Sequence, residues 1–188
     1  ENDAIKILCK RARRKLLTNR ALRQPVILDQ GHEYRFVRGG FLKQPPADYI
    51  IDLKSCKRCG EEDFSRDEQI SLIVAWAVAF SSNHGGNEIV LAKNGELLGV
   101  GGGPSTIEAT QVAISRARDG GHNCFGSVFA GDAFFPFVDV PITLCEAGVV
   151  AGCVPEGGCQ EAEVKAVFRE RGVKMAYLAP EFRGFCRH

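Results

Sequence analysis

The sequence predicts a layered α/β domain, and three observations carry that reading. Apolar strand-like runs alternate with helical patterns along most of the chain. Two of the helices open on capping boxes, Ser65 with Glu68 and Ser105 with Glu108. The last third repeats strand, helix, strand, helix, strand at lengths that imply parallel pairing. With 188 residues, 45% of them apolar, the chain can bury one core and is short for two, so a single domain over 1–188 is expected.

At the amino end Ile5, Leu8, Ala12 and Leu16 recur at helical spacing. The run Lys10 to Arg23 holds seven Lys and Arg and no acid, and reads as the solvated face of that helix; no nucleic-acid partner is expected from it. "PVILD" and "EYRFVRGGFLKQ" read as strands, with Gly39 and Gly40 marking a bulge or a close backbone approach. "ADYIIDLKSCKRCGEED" reads as a strand running into a polar loop region, Asp48 to Phe64. Behind Ser65, "QISLIVAWAVAF" is apolar on almost every face, which predicts a central, covered helix stopped at "SSNHGG".

Asn94-Gly95 between two apolar runs predicts a tight hairpin. Gly99, Gly101, Gly102 and Gly103 then lead through Pro104 to the helix "TIEATQVAISRAR". A glycine loop feeding a helix start offers backbone N–H groups and the positive dipole end to an anion, and is equally consistent with a plain helix entry. It is neither a Walker loop nor a spaced dinucleotide fingerprint. The strand "CFGSVFA" is followed by "FAGDAFFPFVDV", which sets four phenylalanines, a proline and two acids where ligands bind in such sheets, outside a strand's carboxyl end. A short helix from Pro141 to Ala147, strand "VVAGCVP", helix "QEAEVKAVFRERG" and strand "VKMAYLA" complete the order.

Composition and motifs exclude several chemistries. The eight cysteines are scattered, several in apolar segments, which suits reduced buried thiols better than a disulfide framework. Cys56-x-x-Cys59 lacks a second pair at zinc spacing and reads as a loop with two thiols. A zinc nucleobase deaminase needs His-x-Glu and Pro-Cys-x-x-Cys, and here His32-Glu33 has no spacer and Cys56 no preceding proline; no metal is expected. There is no Gly-x-Ser-x-Gly elbow. No signal peptide or membrane-length apolar run is evident, so a soluble, cytoplasmic protein without membrane contact is expected.

"GDAFFPFVD" (131–139), "NEIVLAKNGELLGVGGG" (87–103), "YRFVRGGFLKQ" (34–44) and the terminal "FRGFCRH" together resemble the carboxy-terminal half of the transformylase domain in the AICAR transformylase/IMP cyclohydrolase family, in order and rough spacing over nearly the whole chain. The resemblance implies a cytidine-deaminase-like layered sheet with helices on both faces and no deaminase zinc site. It also implies formyl transfer from the co-substrate 10-formyltetrahydrofolate to the 5-amine of aminoimidazole carboxamide ribonucleotide, in purine (IMP) biosynthesis. That amine is a poor nucleophile, so positioning, proton removal and oxyanion stabilisation have to supply the rate.

Carried over residue by residue, the resemblance makes Asn87 catalytic, with Asn83 as a rival because of the inserted "NHGG". Phe134 and Arg183 fall at substrate-binding positions, with the glycine loop (Gly102, Gly103, Ser105) beside the nucleotide. Asp139 falls at the folate-binding position, Phe135 is taken with it, and Lys93 flanks the hairpin. Packing is expected to claim at least one of Phe134, Phe135 and Phe137. There are departures. Pro104, Ser105 and Thr106 stand where the family has glutamines and a phosphate-binding arginine, and Val138 replaces an arginine. The family's lysine–histidine pair belongs to a first half absent from this chain, which begins without an initiator methionine, as a trimmed chain would. Three readings follow: a split transformylase completed by a homodimer or a second chain, a binding module for a purine intermediate or a folate, and a structural subunit.

Overall fold

The computed structural model describes residues 2–10, 32–44, 49–59, 62–81 and 86–182. The chain divides into two compact units, Glu1–Pro46 and Ala47–His188. The expected strand at 25–29 and nearly all of the Lys10–Arg23 run lie outside the described residues.

In the first unit, α1 (Asn2–Leu8) is followed by β1 (Glu33–Val37) and β2 (Gly40–Gln44), an antiparallel pair with Phe36 opposite Phe41. Gly39 has φ 86 and no atom within 4 Å of where a Cβ would stand. It therefore serves a tight turn, in place of the bulge or close approach its sequence suggested.

The second unit holds β3 (Lys57–Cys59), α2 (Arg66–Ser81), β4 (Ile89–Lys93), β5 (Glu96–Gly101), α3 (Thr106–Asp119), β6 (Val128–Gly131), α4 (Asp139–Glu146), β7 (Ala151–Pro155), α5 (Glu161–Glu170) and β8 (Lys174–Leu178). Its six-stranded sheet has the order β3-β8-β7-β6-β4-β5. β6, β7 and β8 are parallel, as the alternation with helices implies, while β4, β5 and β3 pair antiparallel. The expected strand "ADYIIDL" is not formed among residues 49–53; β8 pairs with Lys57–Cys59 instead. Ile51, Leu53 and Phe64 are buried, so the region read as a polar loop contributes to the core.

Strand alternation splits the core in two. Ala92, Ala130, Ala151, Cys153 and Ala176 face one side, and these small side chains admit Trp76 and Phe80 of α2, stacked at 5.0 Å. The capping box starts α2 as expected: Ser65 N–H donates to Glu68 Oε2 at 2.7 Å and Glu68 N–H to Ser65 Oγ at 3.2 Å. The helix is covered on one face only. Ile70 and Ile73 are 42% and 45% exposed, because α2 packs on β4, β5, β6 and β7 while its outer side meets solvent.

Ile89, Leu91, Phe129, Val154, Met175 and Tyr177 face the other side, under α3, α4 and α5. A side chain on Gly99 or Gly101 would overlap the carbonyls of Ala113 or Ala109, so α3 rests directly on the β5 backbone. Helices on both faces of one sheet make this a layered α/β fold, as predicted. The seven described cysteines are free thiols, and burial pushes those of Cys56, Cys124, Cys145 and Cys153 up.

Candidate functional site

Strand direction assembles the site. β4 runs against β6 with Ile89 opposite Gly131, and β5 runs against β4 with Gly101 opposite Ile89. The amino end of β4 therefore shares a pole with the carboxyl ends of β5 and β6, and parallel β7 and β8 add theirs. Asn87, the glycine loop, the aromatic stretch and the loop after β7 all leave the sheet at this pole.

Asn87 adopts φ 52, a left-handed conformation that asparagine tolerates better than most residues. Its Nδ2 donates to the Gly103 carbonyl at 3.1 Å and its Oδ1 accepts from Thr106 Oγ1 at 3.2 Å. Gly103 N–H donates to the Gly86 carbonyl at 2.9 Å, so three hydrogen bonds fasten the approach to β4 onto the glycine loop. One N–H and one lone pair of the amide remain beyond these bonds. Ser105 is the N-cap of α3 and accepts from Glu108 N–H at 3.3 Å, which commits its hydroxyl to the helix. Gly102 and Gly103 are half-buried beside it.

A second fastening joins β4 to the aromatic stretch. Asp132 Oδ1 accepts from Glu88 N–H at 2.8 Å, and Asp132 N–H donates to the Glu88 carbonyl at 3.2 Å. Both residues are buried, so two carboxyl groups lie inside the pole next to Asn87. Sequence reasoning passed over Glu88. Its signal was a charged residue directly ahead of the apolar run "IVLA".

The phenylalanines separate. Phe135 is 1% exposed and stacks with Phe129 at 6.0 Å and near Phe168 at 6.2 Å. It is a core residue and presents no face to a folate, which corrects its assignment as a ligand contact. Phe134 is half-buried over the loop after β7, where a Cβ on Gly158 would come within 3.1 Å of its ring. Phe137 is exposed. Asp139 opens α4, is exposed, and its Oδ1 accepts from Val140 N–H at 2.9 Å, a carboxylate at the positive end of a helix.

Glu156 also escaped the sequence reading. It follows β7 with its side chain 11% exposed, between Lys57 Nζ at 2.6 Å and Lys165 Nζ at 3.0 Å. Burial pushes its carboxyl up, the hydrogen bonds and charges of the two lysines outweigh burial, and the net shift is downward. The pair anchors the loop in which Gly158 meets Phe134.

Lys93 is not at this pole. It ends β4 at the opposite edge and donates to the Phe125 carbonyl at 2.7 Å. Arg183 and Asn83 lie outside the described residues. Among the described residues no group of three or more His, Cys, Asp and Glu is placed to hold a metal ion, and no helix is long and apolar enough to cross a membrane.

The sequence profile of the AICARFT/IMPCHase bienzyme family matches residues 1–116. The bifunctional purine biosynthesis protein PurH of Chlorobium phaeobacteroides is 32% identical over 180 residues, covering 95% of this chain and 33% of its own length. PurH of Cereibacter sphaeroides is 33% identical over 185 residues, covering 94% and 34%. The chain thus spans about a third of the length of these relatives. Among solved structures, a dCMP deaminase from the cyanophage S-TIM5 aligns with a TM-score of 0.43 at 19% identity, over 59% of this chain and 96% of its own. On the profile match and the identity along nearly its whole length, the chain belongs to the AICARFT/IMPCHase bienzyme family of purine biosynthesis proteins.

Proposed function

We propose that this chain supplies one wall of a formyl-transfer site: 10-formyltetrahydrofolate as donor and the 5-amine of aminoimidazole carboxamide ribonucleotide as acceptor. The observation that carries the reading is the gathering of Asn87, the glycine loop, Phe134 and Asp139 at one pole of the sheet. Phe134 offers a flat face to the imidazole, and Asp139 offers an acceptor to the N–H groups of a pterin. The remaining N–H of Asn87 is a neutral donor for the oxyanion that forms on the formyl carbon. The family's lysine–histidine pair, which handles the amine proton, comes from a second chain or from another part of a longer protein, and a cytoplasmic homodimer is the expected setting.

One observation favours a second reading, a binding module without turnover. The Asn87 amide is already hydrogen-bonded at both ends, to Gly103 and Thr106.

Thermal-shift titrations with the ribonucleotide and, separately, with a reduced folate test binding. A saturable rise in Tm with either supports a working pocket; no rise with both overturns it. Turnover is then assayed with a chain supplying the lysine–histidine pair. Asn87→Gly keeps the left-handed backbone and removes the donor, and is expected to lower kcat about 100-fold, the scale of one lost oxyanion donor. Unchanged kcat removes Asn87 from the chemistry, and binding without turnover in any pairing selects the second reading.

A further inference from the structure

The backbone of Asn87 is fastened on both sides. The Gly86 carbonyl ahead of it accepts from Gly103 N–H at 2.9 Å, and Glu88 behind it exchanges two hydrogen bonds with Asp132. The left-handed φ of 52 is thereby held, and only the two side-chain torsions of Asn87 are left to set.

Two hydrogen bonds set them. The Gly103 carbonyl can only accept, so the end of the amide that meets it at 3.1 Å has to be Nδ2. Oδ1 is thereby turned to Thr106, whose hydroxyl can donate, at 3.2 Å. One bond alone would leave the amide plane free to swing about that contact, and the second bond fixes the plane. Accepting at Oδ1 also polarises the amide, which strengthens its N–H groups as donors.

Thr106 is itself firmly placed. It is the first residue of α3, half-buried, directly after the N-cap Ser105. The helix rests on the β5 backbone at Gly99 and Gly101, and Gly101 pairs with Ile89, two residues beyond Asn87. The seat of α3 therefore sets the separation between the hydroxyl and the amide. Thr106 also belongs to the stretch that departs from the family's pattern, so the resemblance assigns it no such part.

We propose that Thr106 is a positioning residue for formyl transfer: its hydroxyl keeps the Asn87 carbonyl oxygen turned to the helix and leaves an N–H for the developing oxyanion. This rests on the formyl-transfer reading. In that reaction the amine nitrogen bonds to the formyl carbon and the C=O electron pair moves onto oxygen. Its return expels the folate nitrogen, which takes up a proton as the amine gives one up. A carbonyl oxygen turned toward that oxyanion would repel it, so a loose amide costs rate and leaves substrate binding nearly intact.

The test combines turnover, measured with a chain supplying the lysine–histidine pair, and magnetic resonance of side-chain amides on the full chain alone. Thr106→Val matches the shape and removes the donor. It is expected to lower kcat about tenfold, the scale of one hydrogen bond, with KM within about twofold and Tm nearly unchanged. Thr106→Ser keeps the hydroxyl and should restore kcat to within about threefold of the wild type. Once Asn87→Gly has removed the amide, Thr106→Val should cost nothing further. The Asn87 side-chain N–H pair, identified by its loss in Asn87→Gly, should exchange with solvent about tenfold faster in Thr106→Val and be unaffected in Thr106→Ser.

A kcat that falls in Asn87→Gly and not in Thr106→Val overturns this inference and leaves the formyl-transfer reading standing. No turnover by the wild type in any pairing, or a kcat that Asn87→Gly leaves unmoved, overturns both. A raised KM at unchanged kcat assigns Thr106 to ligand binding, and a loss that Thr106→Ser does not restore assigns it to the helix start. Either result removes the positioning role, as does an amide exchange rate that Thr106→Val leaves unchanged.

Discussion

Phe134 and Phe135 sit side by side, yet the pleat and the turn after β6 send one ring to the loop after β7 and the other into the core. Phe135→Ala is expected to cost about 3–5 kcal/mol in urea denaturation, the range for emptying a buried aromatic site. Phe134→Ala should cost about 1 kcal/mol while weakening nucleotide binding about tenfold, measured by titration. Equal stability losses would place both rings in packing. The sequence could name these rings as pocket or core but could not divide them, because the division depends on which ring packs with Phe129 and Phe168 on the α5 side of the sheet. Asn87 was singled out by the family resemblance alone, and its tie to Thr106 was not legible, since that bond forms only after two strands have turned the chain back.

At the scale of elements, local signals were the reliable ones. The Ser65–Glu68 capping box and the Asn94-Gly95 turn needed only neighbours in sequence and formed as read, and at Ser105 the N-cap bond from Glu108 N–H formed. Ser105→Ala should cost about 1 kcal/mol, the usual value of an N-cap, in equilibrium denaturation. Gly101→Ala should cost more than 3 kcal/mol in the same assay, since α3 must withdraw from β5 to admit a methyl group. The reverse ranking would mean that the helix end matters more than its seat. The one-sided cover of α2 was hidden in its sequence. An apolar pattern records which residues avoid water in the finished assembly, and it does not say whether the cover comes from the same chain.

Across the whole molecule, paired charges set the response to pH. Glu68 and Glu156 are each raised by burial and lowered more by hydrogen bonds, Glu68 with Lys174 at 2.6 Å, Glu156 with Lys57 and Lys165. A carboxyl whose folded value lies below its unfolded value stabilises the fold above the unfolded value and loses that contribution as pH falls through the folded one. Lys165 is lowered by burial and raised more by Glu161 and Glu156, so its contribution is complete below its ordinary 10.5 and is lost as pH climbs past the raised value. The four thiols that burial raises above their ordinary 9.0 begin to lose their contribution earlier, so Tm should be flat only up to about 9 and should fall below about 4.5, the ordinary glutamate value, and Glu156→Gln should blunt that acid limb. An acid limb unchanged in the variant would assign it to other carboxylates. The layered architecture was legible from the alternation of strands and helices, whereas β3 was not: three residues make no pattern, and their partner lies far along the chain. That separation has a consequence for synthesis. Lys57 pairs with Tyr177, so the ribosome must add about 120 residues, roughly 6–24 s of elongation, before this edge of the sheet can close. Until then Ile51, Leu53 and Phe64 have emerged without β8, and a nascent-chain chaperone could hold this greasy segment in the interval.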